Sequence, residues 1–76
     1  MPEYWIGLDT GYDSTSFCVT DEDGVIVTEG SCASEVDAVL EVISGYDLAS
    51  LRQIRIDAGV GPHIVRRLRA LDYPVC

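Results

Sequence analysis

The hydrophobic pattern changes period several times along the chain. Tyr4, Trp5, Ile6 and Leu8 form a nearly continuous apolar run that ends in Asp9. It predicts a strand over residues 4–9, buried on both faces as in the interior of a parallel sheet. Residues 14–20 alternate instead. Thr15, Phe17 and Val19 fall on one face and Ser14, Ser16 and Cys18 on the other, which predicts a second strand. Asp21-Glu22-Asp23-Gly24 reads as a hairpin turn, with Gly24 suited to a left-handed position. A third strand over 25–29 completes an antiparallel meander.

The period then shifts to that of a helix. Val36, Val39, Leu40 and Ile43 recur at i, i+3, i+4 and i+7. Ser34 is a good N-cap, Glu35 and Asp37 suit the first turn, and Ser44-Gly45 ends the helix. Residues 47–51 suit a single helical turn. Residues 53–58 read as a fourth strand, with Ile54 and Ile56 pointing one way. Gly59-Val60-Gly61 is a turn, and Pro62 suits the first position of a second helix. Ile64, Val65, Leu68 and Leu71 give that helix its apolar stripe. Tyr73-Pro74-Val75-Cys76 looks like the beginning of a fifth strand that is cut off.

The predicted order is β-β-β-α-β-α in one α/β domain over residues 1–76. A right-handed crossover places strand four parallel to strand one, on its free edge. The sheet is then mixed, with strand order 3-2-1-4. Asp9 and Asp57 stand near the carboxyl ends of neighbouring parallel strands, where ligand sites of such sheets lie. The outer edge of strand four lacks a full partner and carries only Arg55 as a gatekeeper, which predicts self-association into a homo-oligomer.

Composition narrows the picture. At 47% hydrophobic the chain is not a disordered tail. It has no run of about 18 apolar residues, so no membrane span is expected. The start lacks the basic segment of a signal peptide. Cys18, Cys32 and Cys76 make neither a metal spacing nor a complete disulfide framework, which fits a reduced, cytoplasmic setting. The net charge of −8 argues against wholesale nucleic-acid binding. The distribution says more. There is no lysine, and all five arginines follow residue 47, while eleven of the thirteen acids precede residue 48. The C-terminal part is therefore the one face suited to anions. Arg66, Arg67 and Arg69 are candidate contacts for a nucleic-acid backbone, with His63 beside them as a phosphate contact or proton-transfer group. The same four residues also read as a solvated helix face.

Asp9 and Asp57 are the chemical pair. Two carboxylates at adjacent strand ends repel unless a cation or a proton lies between them. Mg²⁺ accepts a few carboxylates together with waters and substrate phosphates, and two such ions serve phosphodiester chemistry. The plain structural reading is that either residue caps a loop or helix. Asp9-Thr10-Gly11 also matches the aspartic-protease triplet, but Tyr12-Asp13 follows where a small residue is expected and the second half is helical. A further reading takes Asp9-Thr10-Gly11 with Ser14-Thr15-Ser16 as a hairpin that cradles nucleotide phosphates through backbone N–H groups. Sugar kinases and actin-like ATPases share this element order.

The motifs also carry a more specific likeness. Ile6-Gly7-Leu8-Asp9, a polar turn and Asp23-Gly24 form its first part. Ile56-Asp57-Ala58-Gly59-Val60-Gly61-Pro62-His63, then Leu68, Ala70-Leu71 and Tyr73-Pro74-Val75, form its second. Together they resemble the ribonuclease H-like superfamily. The closer likeness is to the N-terminal part of the RuvC-like catalytic domain of DEDD-type insertion-sequence transposases. It covers nearly all 76 residues but only the first half of that domain. It implies that Asp9 and Asp57 are catalytic ligands of Mg²⁺, and that DNA is the partner of the full-length protein, with RNA as a second class. It also implies that this part is inactive alone. Three departures stand out. Asp57 occupies a position where the family usually has Glu. Val60-Gly61-Pro62 replaces a Gly-aromatic step before His63. The two later aspartates of the tetrad have no counterpart. The other function classes are a kinase or ATPase fragment and a non-catalytic association module.

Overall fold

The computed structural model describes residues 2–57 and 62–75. Alternation builds its sheet. The first strand, β1 (Tyr4–Thr10), buries Ile6, Leu8 and Thr10 while Gly7 and Asp9 are exposed. Along β2 (Ser14–Asp21), Thr15 and Val19 are fully buried and Ser14 and Ser16 are exposed. The next strand, β3 (Ile26–Ala33), pairs antiparallel with β2, which pairs antiparallel with β1. After helix α1 (Val36–Ile43) and a 3₁₀ turn (Leu48–Ser50), strand β4 (Leu51–Asp57) lies parallel to β1 on its other side. The sheet order is therefore β3-β2-β1-β4, as the crossover argument requires. Helix α2 (Pro62–Ala70) begins at the expected proline.

Both helices cover the same face. Val39 and Ile43 of α1 and Ile64 and Leu68 of α2 form one cluster with Ile6, Leu8, Val19, Leu51, Ile54 and Ile56. This corrects the expectation that the first strand is buried on both faces. Among the described residues nothing covers the face that carries Gly7, Asp9, Ser16, Arg55 and Asp57. The apolar run misled because Gly7 adds no side chain to either layer, and Tyr4 and Trp5 are only half-buried.

Local chemistry fixes the turns. Asp21 Oδ1 accepts hydrogen bonds from the N–H groups of Asp23 and Val25 at 2.9 and 3.0 Å. The Gly24 N–H donates to the Asp21 carbonyl at 3.0 Å, and Gly24 holds φ at 79°, a conformation glycine adopts without strain. At the other end of β2 the Gly11 N–H donates to the Ser14 carbonyl at 2.9 Å. A Cβ on Gly11 would stand 2.9 Å from that same oxygen, so the turn between β1 and β2 needs glycine. The Glu3 N–H donates to Glu22 Oε2 at 2.9 Å and holds that carboxyl below the usual carboxylate range.

Several expected boundaries move. Strand four starts at Leu51 rather than residue 53, because Leu51 already pairs with Tyr4. Strand three runs to Ala33 rather than residue 29, because Ser31, Cys32 and Ala33 continue the ladder against Ser16, Thr15 and Ser14. Ser34 does not cap α1, whose N-cap position is Glu35 with no side-chain bond. Its Oγ donates instead to the Gly11 carbonyl at 2.6 Å and lies 2.9 Å from Thr15 Oγ1. Its one proton goes to Gly11, so Thr15 donates to Ser34. Ser34→Ala would leave the fully buried Thr15 hydroxyl without its acceptor, at a cost of about 1–3 kcal/mol. Urea denaturation should show that loss; an unchanged midpoint would mean that water replaces the hydroxyl.

Helix α2 buries Ile64 and Leu68 and half-buries Val65 as expected, while Leu71 lies just past its end and is exposed. Ala58, the Gly59-Val60-Gly61 turn and Cys76 lie outside the described residues. Among the described residues the outer edge of β4 is met at one point. The Ile54 N–H donates to the Pro74 carbonyl at 2.9 Å, and Val75 forms a parallel bridge to Ile54. The opposite edge, β3, exposes Ile26 and Val27, with Val25 just before it. Cys18 and Cys32 are half-buried free thiols, and burial pushes that of Cys32 up.

Candidate functional site

Two parallel neighbours carry the acids. In the β1–β4 ladder Leu8 pairs with Ile56 and Asp9 with Asp57. Leu8 and Ile56 face the helices, so the next residue of each strand faces away from them. Adjacent strands lie about 4.8 Å apart, which brings the two carboxylates side by side on the open face. Both residues are exposed. Thr10 holds this end of the sheet together. It is buried, and its Oγ1 donates to the Asp57 carbonyl at 3.0 Å, across 47 residues of chain. The strand end that carries Asp9 is thereby tied to the strand end that carries Asp57.

A shallow concavity of about 580 Å³ lies along this face. The register orders its lining in two rows. Ser16, Asp9 and Asp57 form the row at the carboxyl end, and Glu29, Cys18, Gly7 and Arg55 form the row below. Sequence reasoning named the acid pair and missed Arg55, Glu29 and Thr10 as members of the site. The signal for Arg55 was present, since Ile54 and Ile56 inward put Arg55 and Asp57 outward together.

The structure does not bring the α2 cations to the acids. His63, Arg66, Arg67 and Arg69 are exposed on a helix that packs against the opposite face. The grooves they line, with Val36 and Ala70 or with Pro62 and Val65, share no residue with the concavity that holds Asp9 and Asp57. Among the described residues no group of three or more His, Cys, Asp or Glu side chains stands close enough to hold a metal. The donor set is thus two carboxylates open to water. That set suits a hard, hydrated cation held weakly, and it does not suit a dehydrated, tightly bound one. The hairpin read as a phosphate cradle has its Gly11 N–H already engaged by Ser14 and its Gly11 carbonyl by Ser34.

Neither a protein-family model nor a curated protein matches the chain. Among solved structures it is similar to the large terminase from a thermophilic bacteriophage. The TM-score is 0.73 at 16% identity, over 97% of this chain and 22% of the terminase chain. The fold is ribonuclease H-like. At that identity the likeness concerns the fold, and the chain spans about a fifth of the terminase's length. In the ribonuclease H-like frame, the acids stand where two parallel strands end side by side. Among the described residues no helix is long and apolar enough to cross a membrane.

Proposed function

We propose that this chain contributes Asp9 and Asp57 to the Mg²⁺ site of a ribonuclease H-like enzyme that cleaves nucleic acid. The observation that carries the reading is the Asp9–Asp57 register pair on the open face. Two like charges in that position, exposed and with no ion-pair partner within 4 Å among the described residues, are suited to a shared cation. Bound Mg²⁺ supplies Lewis-acid polarisation of a phosphodiester and a more acidic water. The chain's own residues would hold the ion through two carboxylates, and Thr10 keeps the strand ends in register. On the far layer, His63, Arg66, Arg67 and Arg69 are placed to grip a nucleic-acid backbone away from the acids.

The finer reading is a DEDD-type transposase acting on DNA in the cytoplasm, with RNA as a further partner. It rests on the run from Ile56 to His63, of which residues 58–61 lie outside the described part. Self-association belongs to the same proposal. Its surfaces are the apolar β3 edge and the part of β4 beyond Ile54.

The test pairs a nicking assay on supercoiled plasmid with a Mg²⁺ titration followed by NMR. The chain alone should leave plasmid intact, because two carboxylates leave most of the coordination to water. Millimolar Mg²⁺ should nevertheless shift Asp9 and Asp57. Robust nicking that survives Asp9→Asn would overturn the assignment.

A further inference from the structure

The acid pair has a cationic neighbour that the sequence reading treated only as a guard of the sheet edge. Arg55 sits one row below Asp57 and directly beside Gly7 in the β1–β4 register. It faces the same way as both acids and lines the same concavity, with Glu29 on the far wall. Rows on one face of a strand are about 6.7 Å apart, so an arginine side chain from the lower row reaches the level of the acids.

Two features set Arg55 apart from a surface arginine. It is exposed in a concavity that also holds three carboxylates, yet it pairs with none of them. Among the described residues the one ion pair within 4 Å is Arg52 with Glu3. The floor beside it is also vacant. A Cβ on Gly7 would find no atom nearer than the Cys18 carbonyl at 4.0 Å, so a side chain there would fit and would fill the hollow. The glycine leaves a gap between Arg55 and Cys18 at the foot of the acid pair. An arginine offers a planar, two-pronged donor set that matches a phosphate.

We propose that Arg55 binds a phosphate of the nucleic-acid strand, over the Gly7 floor and one row below Asp9 and Asp57. This rests on the metal reading for its purpose, because it makes Arg55 the residue that presents the strand to the acids. Charge supports the arrangement. Asp9, Asp57 and Glu29 repel an anion, and a divalent cation together with Arg55 balances all three. Arg55 is then a positioning residue and the α2 cations are a separate anchor on the opposite layer. Neutralising Arg55 should change binding beside the acids and leave the α2 surface untouched.

The experiment uses the purified chain, uniformly labelled with ¹⁵N, and a short oligothymidylate as probe, with and without Mg²⁺. Binding should shift the Arg55 side-chain N–H signal. Arg55→Gln should weaken oligonucleotide binding about tenfold in Mg²⁺, the order expected for one lost charge-assisted contact. The slope of log affinity against log salt should fall by about 0.7, one phosphate on a single strand. Arg55→Lys should restore the slope but only part of the affinity, which a general surface charge would not do. Mg²⁺ affinity in Arg55→Gln should be equal or tighter, because a nearby positive charge is gone. An Arg55→Gln protein that binds oligothymidylate with wild-type affinity and slope would overturn the inference, whatever Mg²⁺ does at the acids. If Mg²⁺ leaves Asp9 and Asp57 unshifted while the probe still shifts Arg55 and the variant still weakens binding, the phosphate site stands and the metal reading falls.

Discussion

Asp9→Asn is expected to raise the stability of the metal-free protein and to weaken Mg²⁺ binding more than about tenfold. The two effects share one cause. Asp9 and Asp57 are register partners on neighbouring strands, and like charges placed opposite each other destabilise a sheet, on the same order as the roughly 0.2–1 kcal/mol that a favourable pair contributes. Removing one charge relieves that repulsion. For a domain of this size, about 0.5 kcal/mol corresponds to roughly 2–4 °C in melting temperature. Both side chains are exposed, so the gain should fade in high salt as the repulsion is screened. The same substitution removes one of the two carboxylates that can hold the cation. Thermal melts with and without millimolar Mg²⁺ would show it. The wild type should gain stability from Mg²⁺, and the variant should start higher and gain little. A variant that melts lower than wild type without metal would mean that Asp9 makes a structural contact instead.

Ile54→Ala should come close to unfolding the chain. Ile54 is fully buried at the middle of β4 and belongs to the cluster that joins the sheet to both helices. Its N–H is also the point at which the 74–75 segment attaches. Losing three buried carbons and leaving a cavity costs about 2–5 kcal/mol. A chain of 76 residues buries only about 60–65% of its unfolded surface and has little stability in reserve. Urea denaturation followed by circular dichroism should show a midpoint shifted to very low urea or no folded baseline. Arg55→Gln, one residue away on the exposed face, should stay within about 0.5 kcal/mol of wild type. Equal effects at the two positions would contradict the assignment of faces.

Some of this was legible in the residues and some was not. The strand order and the meeting of Asp9 with Asp57 follow from two short connections and one right-handed crossover, which leave little choice. The open face was not legible in β1. Tyr4, Trp5, Ile6 and Leu8 are apolar whichever side they occupy, and Gly7 reports on neither. Ser34 shows the limit of local rules. Its cap signal was sound, but the Gly11 carbonyl and the Thr15 hydroxyl, 23 and 19 residues earlier, compete successfully for its oxygen. Glu29 reached the site through the β2–β3 register, which shifts between Val19 and Thr20, and no sequence pattern announced that shift. The α2 stripe was read correctly as a stripe. Which side of the sheet it covers depends on the crossover and not on α2, so the distance between its arginines and the acids could not be foreseen.

The central claim is that Asp9 and Asp57 together form a cation site. The most direct test is paramagnetic broadening by micromolar Mn²⁺ in place of Mg²⁺, read residue by residue in the labelled protein. The account predicts that signals of Asp9, Asp57 and their ladder neighbours Leu8 and Ile56 disappear first, and that Asp9→Asn restores them at the same Mn²⁺ concentration. Asp21, Glu22 and Asp23 form the densest run of acids in the chain, and they supply the built-in control. Broadening centred on that turn, or broadening at β1 and β4 that persists in Asp9→Asn, would contradict the account.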